Sequence, residues 1–316
     1  MEDTLKGMFD IYETFFNLRF EIAPTSEFWH EEVKLAKLFD KDTNQLLAYL
    51  LLDLHPRAHK YQHAAHFGLL SGITYEGKDL PAVSFVVANF PKSTANKPSL
   101  LKRSQVKTLF HEFGHALHSI LGRTRIASFA GTNTKTDFVE LPSQLLEEWL
   151  WDADILKGLT KHYQTGESLP DEQIEKIIAL KQFDTGFFWQ LQSYLAKISL
   201  EYYKEGVQKD LYEIVQRLYN ETIKNSFADP ETHLYAHFGH LTHYGARYYS
   251  YIWSEVLTMD AFEEIKKHGL LNPEIGKKYV DKILGFGGSK DPNELLKDFL
   301  GRESNDEAFI KSLGLN

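Results

Sequence analysis

The sequence has no cysteine and no long apolar run. Among its 316 residues there are no cysteines and only three methionines. Without cysteine there can be no disulfides, thiolate metal ligands, iron–sulfur clusters or cysteine nucleophiles. The longest apolar run, at 46–52, is far shorter than the roughly 20 residues of a membrane-spanning helix. Any metal site must therefore be built from His, Asp and Glu, and we expect no membrane partner.

Basic residues are outnumbered by acidic ones. The chain has 35 Lys and Arg against 44 Asp and Glu, so its formal net charge is −9. Because phosphate binding needs a basic surface, this balance argues against a nucleic-acid partner. With 43% hydrophobic and 14% aromatic residues, the chain is too apolar to be disordered. The composition indicates a globular protein with a large core.

The first ten residues, MEDTLKGMFD, lack the features of a targeting sequence. They are acidic, whereas a signal peptide begins with basic residues and a transit peptide is rich in Arg and Ser. We therefore expect a cytoplasmic location, or a mitochondrial one if the true N-terminus lies further upstream.

Hydrophobic periodicity predicts a mainly helical chain. A resemblance to a capping box at Ser168–Asp171 marks the start of one helix, and Gly122 marks the end of another. Short runs rich in β-branched and aromatic residues predict strands at 46–54 and 82–90. We find no linker that divides the chain into two domains. The predicted helices cover about 4–20, 101–121, 137–158, 171–205 and 210–226.

The strongest chemical signal is the sequence His-Glu-Phe-Gly-His at 111–115. His111 and His115 are four residues apart in a predicted helix, so both imidazoles lie on one face. Two imidazoles on one face can occupy two positions of a tetrahedral Zn²⁺. Glu112 would lie one residue round the helix, where it could reach a water molecule at the metal and act as a general base. The alternative is a pair of surface histidines with a chance glutamate between them.

Further residues could complete a metal site. His118 lies one turn beyond His115 and could be a ligand, a neighbour of the ligands or a surface residue. A catalytic zinc site needs a third protein ligand and an open fourth position. Without cysteine, the spacing leaves open the acids that follow the loop: Asp137, Glu140, Glu147 and Glu148. Each could instead be a solvated acid near a helix start, favoured there by the helix dipole.

Several segments, taken together, resemble a known family. They are HEFGHALHSILGRTR, TDFVELPSQLLEEW, LLDLHPRAHKYQHAAHFGL, SFVVANF, FGHLTHYGARYYSYIWSEV and GGSKDPNELLKDFLGRESNDEAF. In this order they resemble the zinc endopeptidases that include thimet oligopeptidase, neurolysin, saccharolysin and mitochondrial intermediate peptidase. The resemblance implies a mainly α, zincin-like fold of the neurolysin type, with a small β-sheet beside the HExxH helix.

The resemblance also implies roles for individual residues. It makes His111, His115 and Glu140 the ligands of one Zn²⁺ per chain, because Glu140 follows Val139 in the matching segment. It makes Glu112 the catalytic base. Glu147 is then a candidate partner that orients a ligand histidine.

The segment 233–251 contains four histidines and five tyrosines. The resemblance implies that His240, Tyr244, Tyr248 and Tyr251 face the substrate, where neutral donors would stabilise the oxyanion. Gly239 and Gly245 suggest a mobile loop, although His243 stands where the family often has glycine.

Two other interpretations of this segment stay open. One is a second metal site, because four histidines follow one another at helical spacing: His233, His237, His240 and His243. The other is that the tyrosines, Tyr249 in particular, pack in the core with satisfied hydroxyls.

The strand at 82–90 could bind substrate. In zinc peptidases of this type an edge strand pairs with the extended backbone of the substrate. The alternative is an ordinary buried strand, and the sequence does not separate the two.

The resemblance covers the C-terminal, metal-bearing half of the family's chain. We therefore expect residues 1–316 to form a catalytic domain without the N-terminal helical half. The chain could be a fragment, a natural short form or one part of a two-chain enzyme. In each case an exposed apolar surface, with the helix at 4–20 as a candidate, would favour association with that half or self-association.

The sequence thus predicts a zinc endopeptidase that hydrolyses internal bonds of short peptides. A first alternative is a catalytically weak, zinc-binding remnant that acts as a partner module. A second is a zinc carboxypeptidase, which would need a basic group for the substrate C-terminus; Arg123, Arg125 and Arg247 are available.

Overall fold

A computed structural model describes residues 1–24, 28–206, 209–224, 226 and 229–315. Its β-structure is one five-stranded sheet and one small hairpin. The sheet has the order β1-β2-β3-β7-β4 and β5 pairs with β6. Among these strand pairs, β3–β7 is parallel and the others are antiparallel. The strands are β1 (Leu18–Ala23), β2 (Lys34–Asp40), β3 (Leu46–Asp53), β4 (Ala65–Leu70), β5 (Ile73–Tyr75), β6 (Lys78–Leu80) and β7 (Ala82–Val87).

Helices make up most of the remaining structure, which confirms the predicted fold class of a mainly α protein with a small sheet. In the described part of the chain, none is long and apolar enough to cross a membrane. They are α1 (Glu2–Phe15), α2 (Arg103–Leu121), α3 (Leu141–Glu147), α4 (Ala153–Leu159), α5 (Asp171–Ala179), α6 (Thr185–Tyr203), α7 (Leu211–Thr222), α8 (Leu234–His237), α9 (His240–His243), α10 (Ser250–His268), α11 (Pro273–Lys282), α12 (Pro292–Leu300) and α13 (Glu307–Ser312).

The sheet and α2 share the main hydrophobic core. Alternate residues of β2, β3 and β7, such as Leu38, Leu50 and Val86, are fully buried because successive side chains of a strand point to opposite faces. They belong to the same core as Phe110 and Phe113 of α2. The apolar stripe of α2 is thereby buried, and its opposite face is left for the histidines.

The N-terminal helix is shorter and more buried than its sequence pattern predicts. It ends at Phe15, and Asn17 adopts a positive φ of 54° that turns the chain into β1. The predicted helix at 4–20 is therefore wrong beyond Phe15. Tyr12 and Phe15 are fully buried, and Phe15 packs edge-on against Trp149. The expectation that this helix offers an exposed apolar surface is also wrong, because its apolar side is part of the core.

Two predicted helices are broken in the structure. The one expected at 137–158 begins as α3, with Pro142 in its first turn, and continues as a 3₁₀ turn at Glu148–Trp151. Asp152 then caps α4 by accepting hydrogen bonds from two backbone amides. The helix expected at 171–205 divides into α5 and α6 around Asp184, whose φ is 59°. Pro170, without a side-chain cap, precedes α5, so the predicted capping box does not form.

A second, smaller core supports the tyrosine-rich segment. It is formed mainly by α6 and α7 and includes Ile198, Val215 and Tyr248. The Ser199 hydroxyl of α6 donates a hydrogen bond to the Gly245 carbonyl at 2.7 Å. The segment between α7 and α10 is thus held against α6. A helix was predicted at 210–226, whereas α7 ends at Thr222. Residue 225 of that stretch lies outside the described residues.

Candidate metal centre

Helix α2 places His111 and His115 side by side. Their ring centroids are 4.9 Å apart and the rings are nearly perpendicular. The opposite side of the helix is held in the core by residues such as Leu109 and Phe113. Because the helix is anchored on that side, the two imidazoles are presented together on the other.

Glu140 meets both imidazoles. It lies at the residue before α3, is 1% exposed, and its Oε2 atom is 3.3 Å from His111 Nε2 and 3.1 Å from His115 Nε2. One possible ligand atom from each of the three residues lies within 4.8 Å of the others. Two imidazoles and one carboxylate form a donor set that suits a catalytic Zn²⁺ with an open position. The residues present therefore fit a zinc ion.

The other three acids named by the sequence pattern have different partners. The Asp137 carboxylate accepts a hydrogen bond from the Tyr249 hydroxyl at 3.2 Å. Glu148 forms an ion pair with Lys181. Glu147 lies on the outer side of His111, with its Oε1 atom 2.7 Å from Nδ1. Of the four acids, Glu140 therefore lies between the histidines and Glu147 lies behind His111. The other two, Asp137 and Glu148, are bound elsewhere.

Hydrogen bonds to Glu140 limit its freedom. The Ser143 hydroxyl donates to Oε2 at 3.0 Å and the Tyr244 hydroxyl donates to Oε1 at 2.5 Å. Burial by itself would raise the pKa of Glu140, but the two neighbouring histidines hold that pKa well below its usual value. Glu140 is therefore a carboxylate of fixed orientation. Ser143 was not singled out in the sequence; its position three residues after Glu140 at a helix start was the available signal.

His111 has a carboxylate next to each of its ring nitrogens. Burial acts to lower its pKa, but the carboxylates of Glu140 and Glu147 outweigh burial and raise the pKa well above 6.5. Glu147 is itself paired with Lys107, whose Nζ is 2.8 Å from Oε2. Lys107 was missed in the sequence, although its position four residues before His111 places it on the same helix face.

Glu112 lies beside the histidines at the edge of the sheet. It is 8% exposed, and the backbone of His66 on β4 lies near its carboxylate. Burial raises its pKa, while the adjacent His111 and His115 act in the opposite direction. A carboxylate with a raised pKa next to a candidate metal site is suited to proton transfer near neutral pH.

The tyrosine-rich segment brings an aromatic cluster next to Glu140. The ring of His240 is 5.6 Å from Tyr244, 5.1 Å from Tyr248 and 5.6 Å from Tyr251. The Tyr244 and Tyr251 rings are 5.2 Å apart. Burial and the Glu140 carboxylate raise the pKa of the Tyr251 hydroxyl above its usual range. All four candidates of this segment are therefore together, and the tyrosines are neutral donors.

The members of this aromatic cluster do not play the same part. The Tyr248 hydroxyl donates to the side chain of Gln192 on α6 at 3.1 Å, and Tyr248 is 6% exposed. It anchors the segment to the second core. The sequence alternative of packed tyrosines thus applies to Tyr248. It does not apply to Tyr249, which is 45% exposed.

The histidines of 233–243 do not form a second metal site. Within the described residues, the structure has one group of converging His and acidic ligand atoms, and it is the group of Glu140 and the α2 histidines. His233 and His237 instead bond to backbone carbonyls, of Glu231 and His233 respectively. The reason is that α8 and α9 are separate short helices, so the helical spacing assumed for the four residues is interrupted.

His118 is also absent from the ligand group. It is 0% exposed, so the surface interpretation is wrong. Neither ring nitrogen has a hydrogen-bond partner in the described residues. Burial lowers its pKa to about 3, so it is a neutral core residue.

The strand predicted at 82–90 is not at the sheet edge. It forms β7, which lies between β3 and β4, and its pairing partners on both sides occupy its backbone groups. The strand at the edge next to the cluster is β4, which the sequence analysis did not predict. Periodicity could not find it because burial does not alternate along the strand. Ala65 and His66 are half-buried, and the residues that follow, including Leu69 and Leu70, are exposed.

Comparisons with known proteins agree with this geometry. The sequence model for peptidase family M3 matches residues 1–315. The chain is 36% identical over 325 residues to "Thimet-like oligopeptidase" of Dictyostelium discoideum, covering 99% of this chain and 48% of that protein. It is 36% identical over 328 residues to saccharolysin of Saccharomyces cerevisiae, covering 100% of this chain and 46% of that protein.

More distant similarity extends to organellar enzymes. The chain is 33% identical over 305 residues to the mitochondrial intermediate peptidase of Arabidopsis thaliana, covering 95% of this chain and 43% of that protein. The chain spans about half the length of the curated relatives it matches.

Proposed function

The chain belongs to peptidase family M3, and we propose that it is a zinc-dependent endopeptidase that hydrolyses internal bonds of short peptides. One observation carries the proposal. Ligand atoms of His111, His115 and Glu140 converge at one point, and Glu112 follows His111 directly on α2. This is a candidate metal site with a general base beside it, an arrangement that suits metal-assisted hydrolysis of an amide.

The residues of the cluster would hold one Zn²⁺ per chain. When bound, the ion supplies Lewis-acid chemistry, which polarises a carbonyl and makes water more acidic. Glu112 takes the proton from the attacking water and passes it to the nitrogen of the leaving amine. Its raised pKa supports both steps, because the best catalytic pKa lies near the working pH.

The aromatic cluster would stabilise the negative charge that develops on the carbonyl oxygen. Tyr251, with a pKa raised above its usual range, keeps its proton and is a donor throughout the reaction. Burial lowers the pKa of His240, so this imidazole is neutral. Neutral donors that are already in place in a dry site stabilise an oxyanion without having to reorganise when the charge develops. The Tyr244 hydroxyl donates a hydrogen bond to the metal ligand Glu140, and the Tyr244 ring packs next to that of Tyr251. Tyr248 positions the segment.

The open edge of β4 would bind the substrate backbone. β4 is the last strand of the described sheet, and its His66 backbone lies near the Glu112 carboxylate. An extended peptide added to this edge would run past the general base. Main-chain pairing gives affinity with little dependence on side chains, which suits an enzyme for varied short peptides.

The remaining expectations are part of the same proposal. Residues 1–316 would be the catalytic domain of an enzyme whose relatives are about twice as long, acting on short peptides in the cytoplasm. The proposal also includes association of this domain with a second polypeptide or with another copy of the chain.

The carboxypeptidase alternative receives less support. Arg123 is bound to Asp79 at 2.9 Å and to the Leu47 carbonyl at 3.1 Å. Arg247 donates to the Thr136 hydroxyl at 2.9 Å. These contacts occupy two of the three arginines that could capture a substrate C-terminus. The other alternative, a catalytically weak zinc-binding remnant, differs from the proposed enzyme in its activity alone.

One experiment tests the proposal. Bound zinc and cleavage of an internally quenched peptide would be measured in the wild type, in Glu112→Gln and in Glu175→Gln, a control on the exposed side of α5. We expect about one zinc in all three proteins, with cleavage lost only in Glu112→Gln. Zinc without cleavage in the wild type would favour the remnant. Trimming from the C-terminus, seen by mass spectrometry of the products, would favour the carboxypeptidase.

A further inference from the structure

A chain of contacts runs from Lys107 through Glu147 to His111. Lys107 Nζ is 2.8 Å from Glu147 Oε2, and Glu147 Oε1 is 2.7 Å from His111 Nδ1. On this basis, and resting on the proposed zinc site, we propose that Lys107 is a positioning residue for the metal. It holds the Glu147 carboxylate on His111 and thereby keeps the Nε2 atom of His111 directed at the ion.

The geometry fixes the orientation of the Glu147 carboxylate between Lys107 and His111. Lys107 and His111 are one turn apart on α2, so they stand on the same helix face. Glu147 comes from α3 and presents one carboxylate oxygen to each of them. A carboxylate held at both oxygens by one rigid helix cannot rotate. Since Nδ1 is bonded to Glu147, the free nitrogen of a neutral His111 is Nε2, which faces Glu140.

The surroundings of Glu147 explain why it needs a cation. Its side chain is 12% exposed, and the carboxylate of Glu148 interacts with the same lysine that pairs with it. Like charges in a buried site repel one another strongly. Without Lys107, Glu147 would face the Glu148 carboxylate with one oxygen unpaired, and turning away from His111 would relieve the repulsion.

A second lysine in the same place has a different partner. Lys181 is paired with Glu148, so each of the two adjacent glutamates has its own lysine. Only the pair of Lys107 and Glu147 continues to a metal ligand. Lys181 is therefore a control for the general effect of positive charge beneath the site.

Zinc affinity of the peptide-free protein tests the inference, measured by competition with a chromophoric chelator. Removing an outer partner of a metal ligand typically costs about 10–100-fold in metal affinity, and we expect that loss in Lys107→Gln. Lys107→Arg, which keeps the charge and can still donate to the carboxylate, should restore affinity to within about threefold of the wild type. Lys181→Gln, and Lys266→Gln on the exposed side of α10, should stay within the same range.

A double-mutant cycle separates positioning from a general structural role. If Lys107 acts through Glu147, adding Lys107→Gln to Glu147→Gln should produce no further loss of affinity. Lys107→Met, of similar length without charge, replaces Lys107→Gln if the latter does not fold, as judged by circular dichroism of the metal-free proteins.

Three results would overturn the inference: unchanged zinc affinity in Lys107→Gln, an equal loss in the Glu147→Gln background, or failure of Lys107→Arg to recover. A wild type that binds zinc but cleaves no peptide would contradict the proposed function and leave these affinities to be judged by themselves. A wild type that binds no zinc would contradict both.

Discussion

Gly114 of α2 lies against the backbone of Ser143 of α3. A Cβ atom on Gly114 would come within 2.4 Å of Ser143 Cα and within 2.7 Å of the Pro142 carbonyl oxygen. Real Cβ atoms do not approach backbone atoms so closely, so only glycine allows the two helices to touch here. His111 and His115 flank this glycine, and Glu140 precedes α3. The close approach therefore brings the third acid over the two imidazoles.

The first prediction concerns this contact. Gly114→Ala should lower the free energy of unfolding by about 1–3 kcal/mol through overpacking. It should also reduce bound zinc, because α3 must move away from α2 and take Glu140 with it. Urea denaturation and metal analysis measure the two effects. Gly158→Ala on α4 is the matched control, since a Cβ there meets nothing within 4 Å; we expect a gain of about 0.5–1 kcal/mol. Full zinc in Gly114→Ala would contradict this account of the contact.

The second prediction separates the tyrosines. Tyr251→Phe removes one donor to the oxyanion and should lower kcat by about 10²–10³-fold. Zinc content and KM should change little, because the metal ligands are intact. Tyr249→Phe is the control: the Tyr249 hydroxyl donates to Asp137 and is 3.2 Å from it, outside the metal cluster. Steady-state kinetics on a quenched peptide give the result. Equal effects in the two variants would remove Tyr251 from the proposed role.

The third prediction concerns pH and stability. Burial, with the nearby carboxylates of Glu148 and Glu147, raises the pKa of Glu255 to about 8. Between its ordinary pKa of 4.5 and this raised pKa, folded Glu255 holds a proton and the unfolded chain does not. The contribution of Glu255 to the free energy of unfolding therefore falls as pH rises through this range.

Glu255→Gln should remove this slope, so the variant gains stability over the wild type between about pH 5 and about pH 8. Urea unfolding of both proteins across this range measures the difference. Parallel pH curves for the two proteins would show that Glu255 does not hold the proton.

The fourth prediction concerns zinc binding. In the structure, His111 is bonded to Glu147 at Nδ1 and lies 3.3 Å from Glu140 at Nε2. Although burial lowers its pKa, these carboxylates raise it well above 6.5, so the ring is charged near neutral pH. A metal needs the neutral ring, so zinc should displace about one proton from His111 near pH 7.

Titration calorimetry in two buffers with different ionisation enthalpies counts that proton. Glu147→Gln removes one of the carboxylates that raise the pKa, so fewer protons should be released. Equal binding enthalpies in both buffers would contradict the assignment.

Local patterns predicted some elements well and others badly. The apolar stripe of α2 was found because it has a strong helical period. The strands near 46–54 and 82–90 were found because each is a short run rich in β-branched and aromatic residues. The end of α1 was missed because Phe16 and Phe20 continue the apolar pattern of the helix, although Asn17 turns the chain into β1. β4 and the interior position of β7 were missed because strand order depends on pairing between distant segments.

The sequence by itself determined the chemistry that is possible here. With no cysteine, a metal site had to use His and acids, and the spacing of His111 and His115 on a helix with a buried apolar side placed both on one accessible face. Which acid completes the cluster was open to spacing, and the family resemblance pointed to Glu140. Only the tertiary structure brought Glu140 in front of the imidazoles, Glu147 behind one of them and Glu148 onto a lysine. The physical reason is that all three acids have similar local propensities, and their roles differ only through the packing of α3 on α2 at Gly114.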